Sequence, residues 1–243
     1  MQFDILTIFP KLFDSFLNES LIKKSAEKKL NNFVIHDLRK WAKGVHKRVD
    51  DRPYGGGAGM LMMAEPIIKA VSDVKCQSLP AGEAGVKVSE CQSKSNKKTS
   101  PQKTKVILLS PAGQRFTGEM AKKLSKCDQL IFICGRYEGI DARVEKIIDE
   151  KISIGPYVLN GGELAAMVIM ETVARFIPGF LGNEESLQEE TILAVNKMVK
   201  EYPQYTRPEV LEIVNKKYYV PKILLSGDHQ KIKDWRNSKM NKE

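Results

Sequence analysis

Short apolar runs alternate with longer stretches of helical periodicity over the first two thirds of the chain. The apolar runs predict five strands, at residues 3–9, 33–35, 106–109, 130–134 and 152–159. Apolar residues at helical spacing predict five helices, at residues 11–30, 64–74, 118–125, 142–149 and 164–176. Strands that alternate with helices indicate an α/β fold, in which a mainly parallel sheet is covered by helices on both faces.

The alternating pattern stops between residues 75 and 105. Residues 92–104 are almost entirely Ser, Lys, Gln, Thr and Asn. A connection of this length is unusual inside a compact domain and is either functional or a tolerated insertion. Because residues 92–104 contain no aromatic side chain and no chemical motif, we predict a flexible surface insertion over residues 75–105.

A second change of pattern divides the chain into two domains. Residues 182–190 are polar and acidic and predict a linker after a first domain of residues 1–181. Residues 191–243 combine helical spacing at their start with a final helix around Trp235, which predicts a small, mostly helical domain. About 50 residues make a marginal core, so we expect this domain to dock on another surface.

Composition favours a nucleic-acid partner and the cytoplasm. Lys and Arg outnumber Asp and Glu by 39 to 30, which gives a net charge of +9 and long-range attraction for polyanions. No apolar stretch approaches the roughly 20 residues that span a bilayer, and residues 1–4 lack the basic start of a signal peptide. The four cysteines form no CxxC pair, so no metal site is predicted, and Cys134 is expected to pack in the core.

Three glycine-bearing segments are candidates for ligand binding. They are Tyr-Gly-Gly-Gly-Ala-Gly-Met at residues 54–60, Cys-Gly-Arg-Tyr-Glu-Gly-Ile-Asp at 134–141, and Ile-Gly-Pro-Tyr-Val-Leu-Asn-Gly-Gly-Glu-Leu at 154–164. None has the spacing of a dinucleotide or Walker A motif. Two of them follow predicted strands, which places them at the carboxyl ends of a parallel sheet, where α/β proteins bind ligands.

Taken in this order, the three segments resemble the bacterial tRNA (guanine-N1)-methyltransferase family of the SPOUT superfamily. Further matching segments lie at residues 5–10, 49–57, 175–179, 205–209 and 224–229. The resemblance implies a deep trefoil knot in the first domain, a tRNA-binding C-terminal domain and a homodimer whose active sites are shared between subunits. It also implies methyl transfer from S-adenosylmethionine (SAM) to N1 of the guanosine immediately 3′ of the anticodon, position 37. Mg²⁺ is expected from the family, although no ligand cluster establishes it.

The resemblance also implies roles for individual residues. The expected SAM-binding residues are Leu109, Ser110, Pro111, Gly135, Tyr137, Ile154, Gly155, Pro156, Tyr157, Val158, Leu159, Gly161 and Gly162. The expected tRNA-binding residues are Asp50, Arg52, Tyr54, Ser186 and Arg207. The expected catalytic residues are Glu190, Arg175 and Glu138.

Glu190 departs from the family pattern, which has Asp at the end of the linker. At neutral pH, N1 of guanine carries a proton, so a base must remove it while a cation or donor stabilises O6. We expect Glu190 to be the base and Arg175 to stabilise O6. Two alternatives stay open: a SPOUT methyltransferase that acts on another RNA, and a knotted RNA-binding protein without catalysis.

Overall fold

The computed structural model describes residues 1–77, 103–182 and 202–240. The chain divides into two compact units, Met1–Glu184 and Glu185–Glu243. Strands of the first unit are β1 (Gln2–Thr7), β2 (Asn32–Asp37), β3 (Asp50–Asp51), β4 (Leu61–Met62), β5 (Thr104–Arg115), β6 (Gln129–Cys134) and β7 (Glu150–Ser153). Its α-helices are α1 (Asp14–Leu17), α2 (Ser20–Glu27), α3 (Ala64–Gln77), α4 (Gly118–Leu124) and α5 (Glu163–Ala174).

Five of these strands form one parallel sheet in the order β2-β1-β6-β5-β7, while β3 and β4 form a separate antiparallel pair. Every residue of the central strand β6 is buried, as is typical of parallel strands covered on both faces. Phe132 packs with α4 and α5 in one core, and its neighbours Ile131 and Ile133 pack with α3 in a second. The predicted α/β fold with a mainly parallel sheet is therefore confirmed.

The N-terminal helical region is interrupted, so the prediction of one helix over residues 11–30 is wrong. A 3-10 helix (Pro10–Phe13) leads into α1, which ends before Asn18. The side-chain amide of Asn18 donates to the carbonyl oxygen of Asp14 at 2.7 Å. Such local side-chain bonds compete with helix continuation. Glu19 is then extended and precedes α2.

The last predicted strand and the helix before it are both shorter than expected. Strand β7 ends at Ser153, because the side-chain hydroxyl of this residue bonds the main chain of Gly155. In addition, Pro156 has no amide hydrogen to donate to a strand ladder. The predicted helix at residues 142–149 is a single 3-10 helix, Ala142–Lys146. The chain leaves this helix because Asp149 bonds the main chain of Val106 with both its amide and its carboxylate.

A helix and a strand occupy the two ends of the range that the sequence predicts as a flexible insertion. Helix α3 continues to Gln77 and β5 begins at Thr104, so ordered elements extend into the predicted range of residues 75–105. Residues 78–102 lie outside the described ranges. The predicted domain boundaries at 181 and 190 stay predictions, because residues 183–201 also lie outside them.

The second unit contains a β-hairpin that the sequence pattern did not predict. Strands β8 (Val210–Ile213) and β9 (Lys216–Tyr219) pair through a turn in which Val214 and Asn215 both have positive φ. The description of this segment as mostly helical is incomplete for that reason. The expected final helix is present as α6 (His229–Met240) and includes Trp235.

Strand β5 contacts β7 twice along its length. Both Leu109 and Gln114 pair with Ile152, so residues 110–113 leave the ladder and the chain then returns to it. A Cβ added to Gly113 would lie 2.6 Å from main-chain atoms of Ile152. Gly113 is therefore required by the close approach of two backbones rather than by its own dihedral angles.

We expect Gly113→Ala to lower the free energy of unfolding by about 2 to 3 kcal/mol, because the rigid backbone of Ile152 must move to admit the methyl group. Denaturant unfolding followed by circular dichroism measures the change. Gly182→Ala is the matched control, since no atom lies within 4 Å of the added Cβ, and it should change stability by less than about 0.5 kcal/mol. Equal stability of the two variants would contradict the close approach.

Candidate active site

A cavity of about 460 Å³ opens at the carboxyl-terminal ends of β6 and β7 and at residues 108–111, where β5 leaves its ladder with β7. Its walls come from residues 108–111, residues 135–141 and most of residues 151–162. The carboxyl ends of neighbouring parallel strands meet at one edge of the sheet, which brings these segments together. Cavities of roughly 300 to 1,000 Å³ hold small organic ligands and cofactors.

The structure brings the residues of the expected SAM set into this one cavity. All of them except Pro156 line it. Pro156 follows the end of β7 and is exposed. Glu138 also lines the cavity, as do Arg136 and Asp141, for which the sequence supplied no role.

Main-chain bonds fix the wall formed by residues 135–141. The amide of Gly162 donates to the carbonyl oxygen of Gly135 at 3.0 Å, and Arg136 forms a β-bridge with Gly161. On the other side, the amide of Met62 donates to the carbonyl oxygen of Gly139 at 2.9 Å. The segment is thus held between α5 and β4 by its own backbone.

Glycines occur where these backbones approach each other most closely. A Cβ on Gly162 would lie 2.9 Å from the Cα of Cys134, so a side chain there would push the two walls apart. A Cβ on Gly161 would overlap the side chains of Arg136 and Glu163. The glycine pair that the sequence singles out is required by packing, since neither residue has a positive φ.

A second cavity of about 800 Å³ contains two of the expected tRNA-binding residues, Arg52 and Tyr54. Asp141 lines both cavities and so forms part of the wall between them. Asp50 lies instead beside a smaller cavity of about 130 Å³. The side chain of Tyr54 is fully exposed and therefore accessible to a large ligand.

An ion pair stands at the boundary of the two cavities. The guanidinium of Arg143 donates to both carboxylate oxygens of Asp141, at 2.9 and 2.6 Å. These bonds lower the pKa of Asp141 and raise the pKa of Arg143. The pair is fully charged at neutral pH, and its partly exposed Arg143 can meet an anionic ligand.

One of the expected catalytic residues, Arg175, lies away from the cavity at the far end of α5. Arg175 follows the last residue of α5, whereas Ala165, near its start, lines the cavity, so the two positions are separated by about 15 Å at 1.5 Å per helical residue. Arg207 belongs to the second unit. Ser186 and Glu190 lie outside the described residues.

The described residues offer neither an activated thiol nor a cluster of metal ligands. Cys134 is fully buried, which raises its thiol pKa well above the ordinary value, and the expected packing role is confirmed. Within residues 1–77, 103–182 and 202–240, no group of three His, Cys, Asp or Glu side chains could hold a metal ion.

In the same ranges no helix is both long and apolar enough to cross a bilayer.

Sequence comparisons point to one family over the whole chain. The family profile described as tRNA (Guanine-1)-methyltransferase TrmD matches residues 1–243. A tRNA (guanine-N(1)-)-methyltransferase of Clostridium novyi is 44% identical over 239 residues, which cover 98% of this chain and 86% of the relative. Proteins of the same name are 43% identical in Dictyoglomus turgidum, covering 97% and 83%, and 45% identical in Carboxydothermus hydrogenoformans, covering 97% and 81%. The chain therefore belongs to the tRNA (guanine-N1)-methyltransferase family.

Proposed function

We propose that the protein transfers the methyl group of SAM to N1 of the guanosine at position 37 of tRNA. The cavity beside β5, β6 and β7 is the observation that carries the proposal. Its walls contain all of the SAM-binding residues implied by the family resemblance except Pro156. The relatives' names supply the reaction, since each is a tRNA (guanine-N(1)-)-methyltransferase.

The residues of the cavity suit SAM as a ligand. Main-chain groups of the glycine segments can bond an adenine and a ribose, and the half-exposed rings of Tyr137 and Tyr157 offer apolar surface. SAM supplies an electrophilic methyl group on a sulfonium, which loses its positive charge during transfer. Binding that favours the transition state therefore requires shape more than a strong counterion.

The remaining residues take the roles that the reaction needs. Glu190 removes the N1 proton, and Arg175 stabilises the negative charge that develops on O6. Glu138 lies in the cavity, where its carboxylate can contact the target base. Asp50, Arg52, Tyr54, Ser186 and Arg207 bind tRNA, and the cavity beside Arg52 and Tyr54 receives part of the RNA that adjoins the target guanosine.

The active site is completed by a second subunit in this proposal. Arg175 is about 15 Å along α5 from Ala165, the last helix residue that lines the SAM cavity of its own chain, which favours contact with a base bound at a different site. A homodimer in which Arg175 and Glu190 of one subunit reach the cavity of the other satisfies this distance. The trefoil knot in the first domain also belongs to this proposal and rests on the family resemblance.

The reaction is tested by incubating the protein with SAM and a tRNA transcript that has guanosines at positions 36 and 37. We expect one methyl group per tRNA, located at N1 of guanosine 37 by nuclease digestion and mass spectrometry. A ribosomal RNA fragment is the control substrate. Methylation of that fragment instead would favour another RNA substrate, and SAM binding without transfer to either RNA would indicate a non-catalytic protein.

Glu190→Gln is expected to lower the single-turnover rate by about 10²-fold or more, as is typical for loss of a general base. The dissociation constant for SAM should stay nearly constant, because the proposed base acts on the RNA. Glu189→Gln is the matched control and should retain the wild-type rate. A wild-type rate for Glu190→Gln, with chemistry limiting, would exclude Glu190 as the base.

Mixing two inactive variants tests whether subunits share active sites. Gly162→Ala damages the SAM cavity and Arg175→Ala damages the opposite end of α5. Co-expression of both at equal levels should restore about a quarter of wild-type activity, because half of the dimers are mixed and each mixed dimer has one intact site. If both residues serve the same subunit's site, mixed dimers contain no intact site and no activity returns.

A further inference from the structure

We propose that Glu163 is a positioning residue that holds two walls of the SAM cavity in their binding geometry. The inference rests on the proposed SAM site and adds a residue that does not itself need to touch SAM. Glu163 is the first residue of α5 and directly follows the glycine pair of the cavity wall. Its side chain is 1% exposed, so its charge is stabilised entirely by protein groups.

The Glu163 carboxylate accepts hydrogen bonds from Thr7, the last residue of β1, and from Arg136 in the segment after β6. The hydroxyl of Thr7 donates to Oε1 at 2.8 Å. Nε of Arg136 donates to Oε1 at 3.2 Å and to Oε2 at 3.0 Å. The N-terminus of α5 further favours a negative charge at this position.

Thr7 and Arg136 extend the network to the loop after β1. The amide of Phe9 donates to the hydroxyl oxygen of Thr7 at 2.9 Å, so this hydroxyl both accepts and donates. The guanidinium of Arg136 lies over the ring of Phe9, 4.5 Å from its centroid. One buried carboxylate thus connects the loops after β1 and β6 with the start of α5.

The network lies directly behind the cavity wall. Arg136 lines the cavity and its main chain bridges Gly161, while its side chain and that of Glu163 fill the space where a Cβ of Gly161 would lie. Movement of Arg136 would therefore displace both the segment after β6 and the glycine pair. An ionised carboxylate only accepts hydrogen bonds, whereas a glutamine amide would present N–H groups to the donors of Thr7 or Arg136.

The test compares two variants that each remove one buried carboxylate. Glu163→Gln is the test variant, and Asp4→Asn is the matched control. Asp4 is 1% exposed and bonds Gln2, His36 and Gln129, but it lies three residues before Thr7, about 10 Å back along β1. Calorimetric titration with SAM and thermal unfolding are measured for both.

We expect Glu163→Gln to raise the dissociation constant for SAM by about tenfold or more, because the supporting contacts of the cavity walls are lost. Turnover at saturating SAM should fall much less than the Michaelis constant for SAM rises, since Glu163 is not placed at the reacting atoms. Asp4→Asn should bind SAM within about twofold of wild type even where it unfolds at a lower temperature.

Thr7 provides a second pair of variants. Thr7→Val removes the hydroxyl with little change of shape and should weaken SAM binding in the same direction, while Thr7→Ser keeps the hydroxyl and should bind nearly normally. In the protein without SAM, amide hydrogen exchange at residues 135–141 and 160–162 should accelerate in Glu163→Gln and in Thr7→Val.

Unchanged SAM affinity and unchanged exchange in Glu163→Gln would overturn the inference. Equal loss of SAM affinity in Asp4→Asn and Glu163→Gln would also overturn it, because general destabilisation would then explain both. A wild-type protein that binds no SAM would overturn the proposed function as well, whereas wild-type binding with an unaffected Glu163→Gln overturns the positioning role alone.

Discussion

Main-chain contact between loops is the constraint on which the candidate active site depends. The segment after β6 bonds Gly162 on one side and Met62 on the other, and β5 passes so close to Ile152 that Gly113 has no room for a side chain. Walls built from backbone place amide and carbonyl groups toward a ligand with little conformational freedom. Small shifts in these walls therefore change the binding geometry directly, which makes the buried contacts behind them important.

Local sequence patterns predicted those parts of the fold that depend on local or periodic preferences. The continuous apolar run around Phe132 correctly predicted strand β6, because a strand that is buried on both faces has no polar positions. The amphipathic pattern correctly predicted helix α3, because a helix that is buried on one face has apolar residues at helical spacing. The pattern failed where single side chains decide the outcome. Asn18 ends a helix by bonding the main chain, and Asp149 bonds the main chain of β5. Neither contact changes the spacing of the apolar residues, so the pattern does not reveal them.

The residues that line the candidate site were easier to predict from the sequence than the contacts that support them. The order of the glycine segments identified the family and hence the residues that line the cavity. Thr7 and Glu163 were not predicted, because their contact joins positions 156 residues apart in the sequence. A charged residue at the start of a mostly apolar helix was the available signal for Glu163. The separation of Arg175 from the cavity likewise depends on the length and direction of α5. Sequence motifs identify residues but do not give the distances between them.

The proposed function assigns SAM to the first cavity and part of the tRNA to the second, and hydrogen exchange with and without SAM tests this assignment most directly. The account predicts that SAM slows amide exchange in residues 108–111, 135–141 and 151–162, which form the first cavity. Residues 52–54 and 65–69, which include lining residues of the second cavity and none of the first, should show no change until tRNA is added. Protection by SAM that is confined to residues 52–54 and 65–69 would contradict the account, because it would place the methyl donor in the second cavity.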